Sequence, residues 1–258
     1  MNTPVCEFRA AKLLIQTKTW ILFHLDDTFH DHSNAETAAM RAVFYQIQRD
    51  HKVSVADLET DWKDITTRPV QYTPTLRCES AHGWQARHFT ELLSATDCPD
   101  DRDYVTQLMR AYSLEYLASL ALKPGLLQLI QLLKAQGKNI AVLSRIVTDR
   151  PYSMLSRLGI RGIDPPIIDR IFLDSDYGLL GEPMNEMFVM VLQHLGIKPV
   201  DALYIGDEGV LPARQSGITA IMIDDTWPDD SFVEMHGASV MNTMIMQDLK
   251  VLKRFVIT

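Results

Sequence analysis

From Pro124-Gly125 onward the chain alternates apolar helical stretches with short β-branched runs, and few folds accommodate that rhythm. Helical periodicity over 125–136, 149–159, 184–196 and 210–216 is followed each time by a strand-like run, at 139–144, 169–173, 201–205 and 219–223. Gly137, Gly159, Gly196 and Gly217 stand where those helices should end. Parallel strands need helical crossovers, so this order predicts an α/β fold with a doubly wound parallel sheet. A further strand lies far upstream. Trp20-Ile21-Leu22-Phe23 is uniformly apolar, as a strand covered on both faces must be, and it breaks abruptly into His24-Leu25-Asp26-Asp27-Thr28.

Between that strand and Pro124 the texture is different. Ser33 and Glu36 have capping-box spacing, and Ala39, Val43, Phe44 and Ile47 follow at helical intervals, which predicts a helix over 33–52. Further helical patterns cover 54–65, 81–95 and 101–120, interrupted by Pro69, Pro74 and Cys98-Pro99, with no alternating strand among them. The expected organisation is therefore an α/β core from 1–31 and 121–258, with 32–120 as an all-helical domain inserted after the first strand.

Composition excludes several functions. A formal charge of −8 argues against nucleic acid or an anionic membrane as partner, because both require a basic face. The longest basic cluster, Lys250 to Arg254, suits the last turn of a helix. No apolar run approaches the roughly 18 residues of a membrane span, and Glu7, Arg9, Lys12 and Lys18 interrupt any leader-like core, so a cytoplasmic protein is expected. Cys6, Cys78 and Cys98 are odd in number and widely spaced, which disfavours a disulfide framework or a zinc site. Met184, Met187 and Met190, and again Met241, Met244 and Met246, recur at helical spacings expected of flexible core filling.

In an open parallel sheet, ligands bind beyond the carboxyl ends of the strands. Four positions qualify: His24 to Thr28, Ser144-Arg145, Gly181-Glu182-Pro183, and Gly206-Asp207-Glu208 after Leu203-Tyr204-Ile205. In order and spacing they resemble the four motifs of the haloacid dehalogenase-like hydrolase superfamily, and the helical insertion looks like its helical cap. The resemblance spans nearly the whole chain and implies a Rossmann-like core whose active members hydrolyse phosphate esters with magnesium.

Residue by residue, the match is incomplete. The first motif of active members reads Asp-x-Asp-x-Thr, with the first Asp as nucleophile and the second as general acid and base. His24 stands at the nucleophile position, while Asp26 and Thr28 match the rest. Ser144 matches the phosphate-binding Ser or Thr, with Arg145 beside it as a candidate substitute cation. The motif lysine is replaced by Glu182. Asp207 matches the first metal-binding acid of the fourth motif, the later one falls at Pro212, and Glu208 is a neighbouring carboxylate. Unit charges about 5 Å apart interact by roughly 3 kcal/mol at an effective dielectric near 20, so the exchange of Lys for Glu opposes a bound phosphate. Imidazole also cannot replace a carboxylate on magnesium, which prefers oxygen.

These departures predict a defective magnesium site and no cofactor. His24 and Asp26 are the expected catalytic pair, and Thr28, Ser144, Arg145 and Glu182 the expected substrate contacts; any metal would fall to Asp207 and Glu208. The favoured reading is a metal-independent acid–base enzyme of lyase, isomerase or cyclase type. Its substrate would be an uncharged or cationic small metabolite held between core and cap. The alternatives are a non-catalytic binding or regulatory protein with a protein partner, and a residual phosphatase. His24, His30 and His32 interleave with Asp26, Asp27 and Asp31, which invites a transition metal; His30 and His32 are instead expected to meet solvent in the hinge toward the cap. His82 and His88, near Trp84 and Arg87, are expected as surface or interhelical contacts.

Overall fold

The structure is a computed structural model that describes residues 12–68, 81–144, 151–159, 166–173, 184–224, 232–233, 243–246, 249–250 and 256. Strand β1 (Trp20–His24) is followed by helices α1 (His32–His51), α2 (Val55–Thr67), α3 (Ala81–Ala95) and α4 (Arg102–Ser119). Alternation then begins with α5 (Leu126–Ala135), β2 (Asn139–Ser144), α6 (Pro151–Arg157) and β3 (Arg170–Leu173). It continues through α7 (Met184–Leu195), β4 (Ala202–Gly206), α8 (Val210–Gln215) and β5 (Thr219–Ile223), and ends in β6 (Phe232–Val233) and β7 (Thr243–Met246).

The strands form one sheet in the order β3-β2-β1-β4-β5-β7-β6, parallel except for the β6–β7 pair. β1 therefore lies at the centre, with β2 on one side and β4 on the other. Their registers align Phe23 with Val142 and with Ile205, which brings the carboxyl ends of the three strands together. The chain crosses from one half of the sheet to the other at β1 and β4, where a doubly wound sheet presents its ligand crevice.

Burial follows the strand period of two. Leu22, Ala141, Leu143, Phe172 and Tyr204 pack with Met184, Met187, Phe188 and Val191 of α7 and Ala213 of α8. Alternate residues on the other face, Ile21, Phe23, Ile140, Val142, Leu203 and Ile205, are equally buried. At the amino ends of the strands, lysines close the sheet. Lys138 Nζ donates to the carbonyls of Gln16 and Lys18 at 2.8 and 2.6 Å, and Lys18 Nζ donates to that of Val200 at 2.8 Å. Lys134 Nζ meets both oxygens of Asp169 at 2.8 Å. Three of the chain's cations are thus committed at the end of the sheet opposite the candidate site.

The chain divides into two units, one comprising Met1–Asp31, Leu122–Arg145 and Leu158–Thr258, the other His32–Ala121 and Ile146–Arg157. The second unit is helical, and its α1, α2, α3 and α4 enclose Val43, Ile47, Leu58, Phe89, Leu92 and Leu108. Its boundaries differ from the sequence expectation in taking up Ala121 and α6. Met154 of α6 explains the latter, since it packs with Ala35, Ala39 and Tyr116.

Two local expectations are corrected. α1 begins at His32, so Ser33 lies within the first turn instead of capping it. The caps that form are Ser54 on α2 and Asp101 on α4, whose side-chain oxygens accept from Asp57 N–H and from the Asp103 and Tyr104 N–H groups. The segment holding Met244 and Met246 is strand β7, parallel to β5, where pairing along an open sheet edge outweighs the helical spacing. Met241 lies outside the described residues.

The central position of β1 predicts a measurable sensitivity. Leu22 is fully buried against α7, and Leu22→Ala should cost about 2–5 kcal/mol in urea unfolding. A loss below about 1 kcal/mol would contradict the close packing of this face.

Candidate functional site

His24 is the last residue of β1, and the carboxyl end of a central strand is where the fold delivers side chains to the crevice. Asp207 follows β4 immediately, one strand away. Their side chains meet: Nδ1 of His24 lies 2.7 Å from Oδ1 of Asp207. Only 4% of His24 is exposed, and 28% of the Asp207 side chain.

The same carboxylate oxygen accepts a second hydrogen bond, from Thr28 Oγ1 at 2.9 Å, while Asp207 N–H donates to Thr28 Oγ1 at 2.9 Å. This reciprocal clasp fixes both the backbone and the carboxylate of Asp207. Thr28 is wholly buried and belongs to a turn in which Phe29 and His30 N–H both donate to the Leu25 carbonyl. Asp27 holds the tight point of that turn at a left-handed φ of 47°, a conformation aspartate tolerates better than most residues.

Electrostatics favour a charged pair. Burial pushes the His24 imidazole down, but the hydrogen bond and charge of Asp207, with the charges of Asp26 and Glu208, outweigh it and hold its pKa above the ordinary 6.5. For Asp207, burial pushes upward, and the bond and charge of His24, the Thr28 hydroxyl and its own backbone N–H prevail, holding it below 3.8. The carboxylate is an acceptor, so Nδ1 carries the proton. Nε2 makes no hydrogen bond to any described residue. That is the arrangement in which one carboxylate fixes the tautomer of an imidazole and leaves the other nitrogen to exchange protons.

The remaining sequence candidates distribute differently from expectation. Asp26 does not bond to His24; its Oδ1 lies 2.9 Å from Nε2 of His30. His30, expected in solvent, is buried completely, because the turn folds it back one helical step onto Asp26. His32 belongs to the helical unit and has Nδ1 2.7 Å from the Tyr116 hydroxyl. His88 is buried too. Its Nδ1 donates to the Trp84 carbonyl at 2.7 Å within the same helix, and its ring lies 3.9 Å from the Trp84 ring.

Ser144 ends β2, fully buried, in register with Leu173. Glu208 is exposed, yet its charge reaches His24. Pro212 stands in the first turn of α8, where the amide hydrogen it lacks is least missed. Arg145, Glu182, Gly181 and Pro183 lie outside the described residues, as does the side chain of His82.

The sequence suggested Asp207 only for a metal that was not expected, gave Thr28 to the substrate, and did not point to Lys123 as part of the site. Its Nζ lies 3.9 Å from Asp27 and 3.6 Å from Asp31, and its N–H donates to the Phe29 carbonyl at 3.1 Å. The acid-rich spacing of the turn was the available signal. The cation that answers it comes from far along the chain, where only the fold could place it.

The fold defines a doubly wound α/β protein whose candidate site lies at the ends of the first and fourth strands. The chain matches the haloacid dehalogenase-like hydrolase family over residues 14–210, and it belongs to that family. It is 27% identical over 207 residues to the glyceraldehyde 3-phosphate phosphatase of Methanocaldococcus jannaschii, covering 79% of this chain and 83% of that one. It is 23% identical over 221 residues to the ribulose-1,5-bisphosphate 5-phosphatase of Halopiger xanaduensis, covering 83% and 87%. Among solved structures, the magnesium-bound HAD-hydrolase YfnB of Bacillus subtilis superposes with a TM-score of 0.68 at 20% identity, covering 93% of this chain and 99% of that one. The 2-haloacid dehalogenase of Pseudomonas syringae pv. Tomato DC3000 gives 0.64 at 18%, covering 93% and 98%. Both share the fold. No helix among the described residues is long and apolar enough to cross a membrane.

The pair's pH signature follows from the directions of its shifts. His24, raised in the folded state, contributes fully below its ordinary 6.5, and that contribution is lost as pH rises through the raised value. Asp207, lowered, contributes fully above its ordinary 3.8, and that contribution is lost as pH falls through the lowered value. The stability gap between the natural protein and His24→Gln should therefore be widest between 3.8 and 6.5. Its size there should be about 1.5–3 kcal/mol, the range for a hydrogen bond to a charged group. Thermal unfolding across pH checks this, and a gap that widens above neutrality would refute the charged pair.

Proposed function

We propose that this hydrolase-family chain carries out metal-independent acid–base chemistry on an uncharged or cationic small molecule, with His24 as the proton carrier. The observation supporting this reading is the 2.7 Å contact between His24 Nδ1 and Asp207 Oδ1. With Nδ1–H held by the carboxylate, Nε2 accepts a proton when the ring is neutral and donates one when it is charged. A pKa held above 6.5 by the Asp207 hydrogen bond and charge favours the proton-donating form of the ring.

Magnesium, implied by the family, does not fit the donors present. It requires near-octahedral oxygen at short range. Asp207 Oδ1 is already engaged by Thr28 and His24, and the residue at the end of β1 offers an imidazole, favoured in its charged form, where the family has a carboxylate. No step here is therefore routed through the metal. Asp26, Asp207 and Glu208 all act electrostatically on His24, and three carboxylates around one imidazole oppose an anionic substrate. Asp26, held by His30, is the second group able to move a proton, and Thr28 serves Asp207, not the substrate.

The relatives named as phosphatases favour one other reading, residual hydrolysis of phosphate esters. A single set of measurements separates the two. Metal-stripped protein is titrated with magnesium by calorimetry, assayed on an aryl phosphate, and screened for turnover of neutral and amine-bearing small molecules. The expected outcome is no magnesium heat, no phosphate release, and turnover that falls about 100-fold or more in His24→Ala and in Asp26→Asn. Where the step takes a proton, kcat/KM should rise with pH through a midpoint above 6.5. Magnesium-dependent release of phosphate would overturn the proposal, and absence of turnover across the screen would assign the site to binding alone.

A further inference from the structure

Tyr204 lies in the middle of β4 with its ring fully buried against Phe188, ring centroids 4.9 Å apart at 82°. Phenylalanine would fill that space as well. A buried hydroxyl is costly unless it finds a partner, and this one donates to the carbonyl of Glu208 at 2.8 Å. Burial, with the charges of Asp207, Glu208 and Asp26, pushes the phenol well above its ordinary value, so it stays protonated and serves as a donor.

The loop that it grips, Gly206-Asp207-Glu208-Gly209, is shaped around this hydroxyl. A Cβ on Gly206 would lie 2.6 Å from Tyr204 Oη and 2.9 Å from the Glu208 carbonyl oxygen. One on Gly209, whose φ is +73°, would lie 2.9 Å from Tyr204 Oη and collide with the Met184 side chain. Gly206 is therefore required by the close approach of the tyrosine, and Gly209 by its left-handed φ together with Met184 and the tyrosine hydroxyl. Asp207 sits inside the loop, clasped from the other side by Thr28 through its N–H and its carboxylate.

We propose that Tyr204 is a positioning residue that, by holding the Glu208 carbonyl, sets the loop so that the Asp207 carboxylate meets His24. The inference deepens the proposed function and rests on the His24–Asp207 pair being its working centre. Tyr204 touches neither reacting nitrogen and acts through the loop alone. Among the described residues, the charged groups acting on His24 are Asp207 and Glu208 from the loop after β4 and Asp26 from the turn after β1, so loosening the loop displaces two of these three.

The test is an NMR titration of the labelled imidazoles in the full chain, with His24→Gln assigning the His24 signal. In Tyr204→Phe the His24 midpoint should fall by about 0.5–1 pH unit, the equivalent of one ordinary hydrogen bond. Gly209→Ala, which drives the loop away from the hydroxyl, should lower it in the same direction. Phe188→Leu, which loosens the packing of the tyrosine ring while keeping its hydroxyl, should reduce Tm and leave the midpoint in place. An unmoved midpoint in folded Tyr204→Phe, or in Gly209→Ala should the first variant not fold, overturns the proposal; so does an equal fall in Phe188→Leu, which would make the role one of packing. The readout needs no substrate. A fallen midpoint in a protein without turnover upholds the positioning role and defeats the catalytic reading, and full turnover with an unmoved midpoint does the reverse.

Discussion

One hydrogen bond between the ends of two neighbouring strands organises this protein's candidate site. His24 closes β1 and Asp207 opens the loop after β4. Because the two strands are paired in parallel, with Phe23 opposite Ile205, the side chains that leave their ends can meet only if both backbones are held in place. The sheet supplies one restraint. Thr28 supplies another from the turn after β1, and the Tyr204 hydroxyl grips the loop from beneath. Displacing any of them costs the carboxylate its orientation, and the imidazole would then face burial without its counter-charge.

That dependence explains how a hydrolase scaffold tolerates a histidine at this strand end. A buried imidazolium alone would be strongly disfavoured, and a buried carboxylate alone equally so. Brought together, each shifts the other toward its charged form. A carboxylate in place of His24 would instead oppose Asp207 and call for a cation to hold the two apart, which is the arrangement the family's magnesium satisfies. Among the described residues, Lys134, Lys138 and Lys18 are committed at the far end of the sheet and Lys123 lies beside Asp27 and Asp31.

The fold was readable in the sequence to within a residue or two because its signals are local. The strands at 139–144 and 219–223 begin and end where the apolar runs do, and the helix at 81–95 keeps its limits. Legibility failed where the determinant was long-range. A Met-rich segment with helical spacing became β7 because β5 left an edge to pair with. His30, polar and beside a hinge, went to the interior because the turn brought it back to Asp26. α6 joined the helical unit through Met154, whose partners lie more than 30 residues upstream.

Sequence alone therefore determined the α/β alternation, the run of helices after the first strand, and the presence of His24 where that strand ends. Those properties depend on residue type and spacing, which a chain carries with it whatever its conformation. Which residue each site group serves was decided by tertiary structure: His24 took Asp207, Asp26 took His30, Thr28 turned to Asp207, and Lys123 answered the acidic turn. The partners of His24 and Thr28, 183 and 179 positions away, are chosen by strand register and loop shape, and neither exists until the sheet has formed.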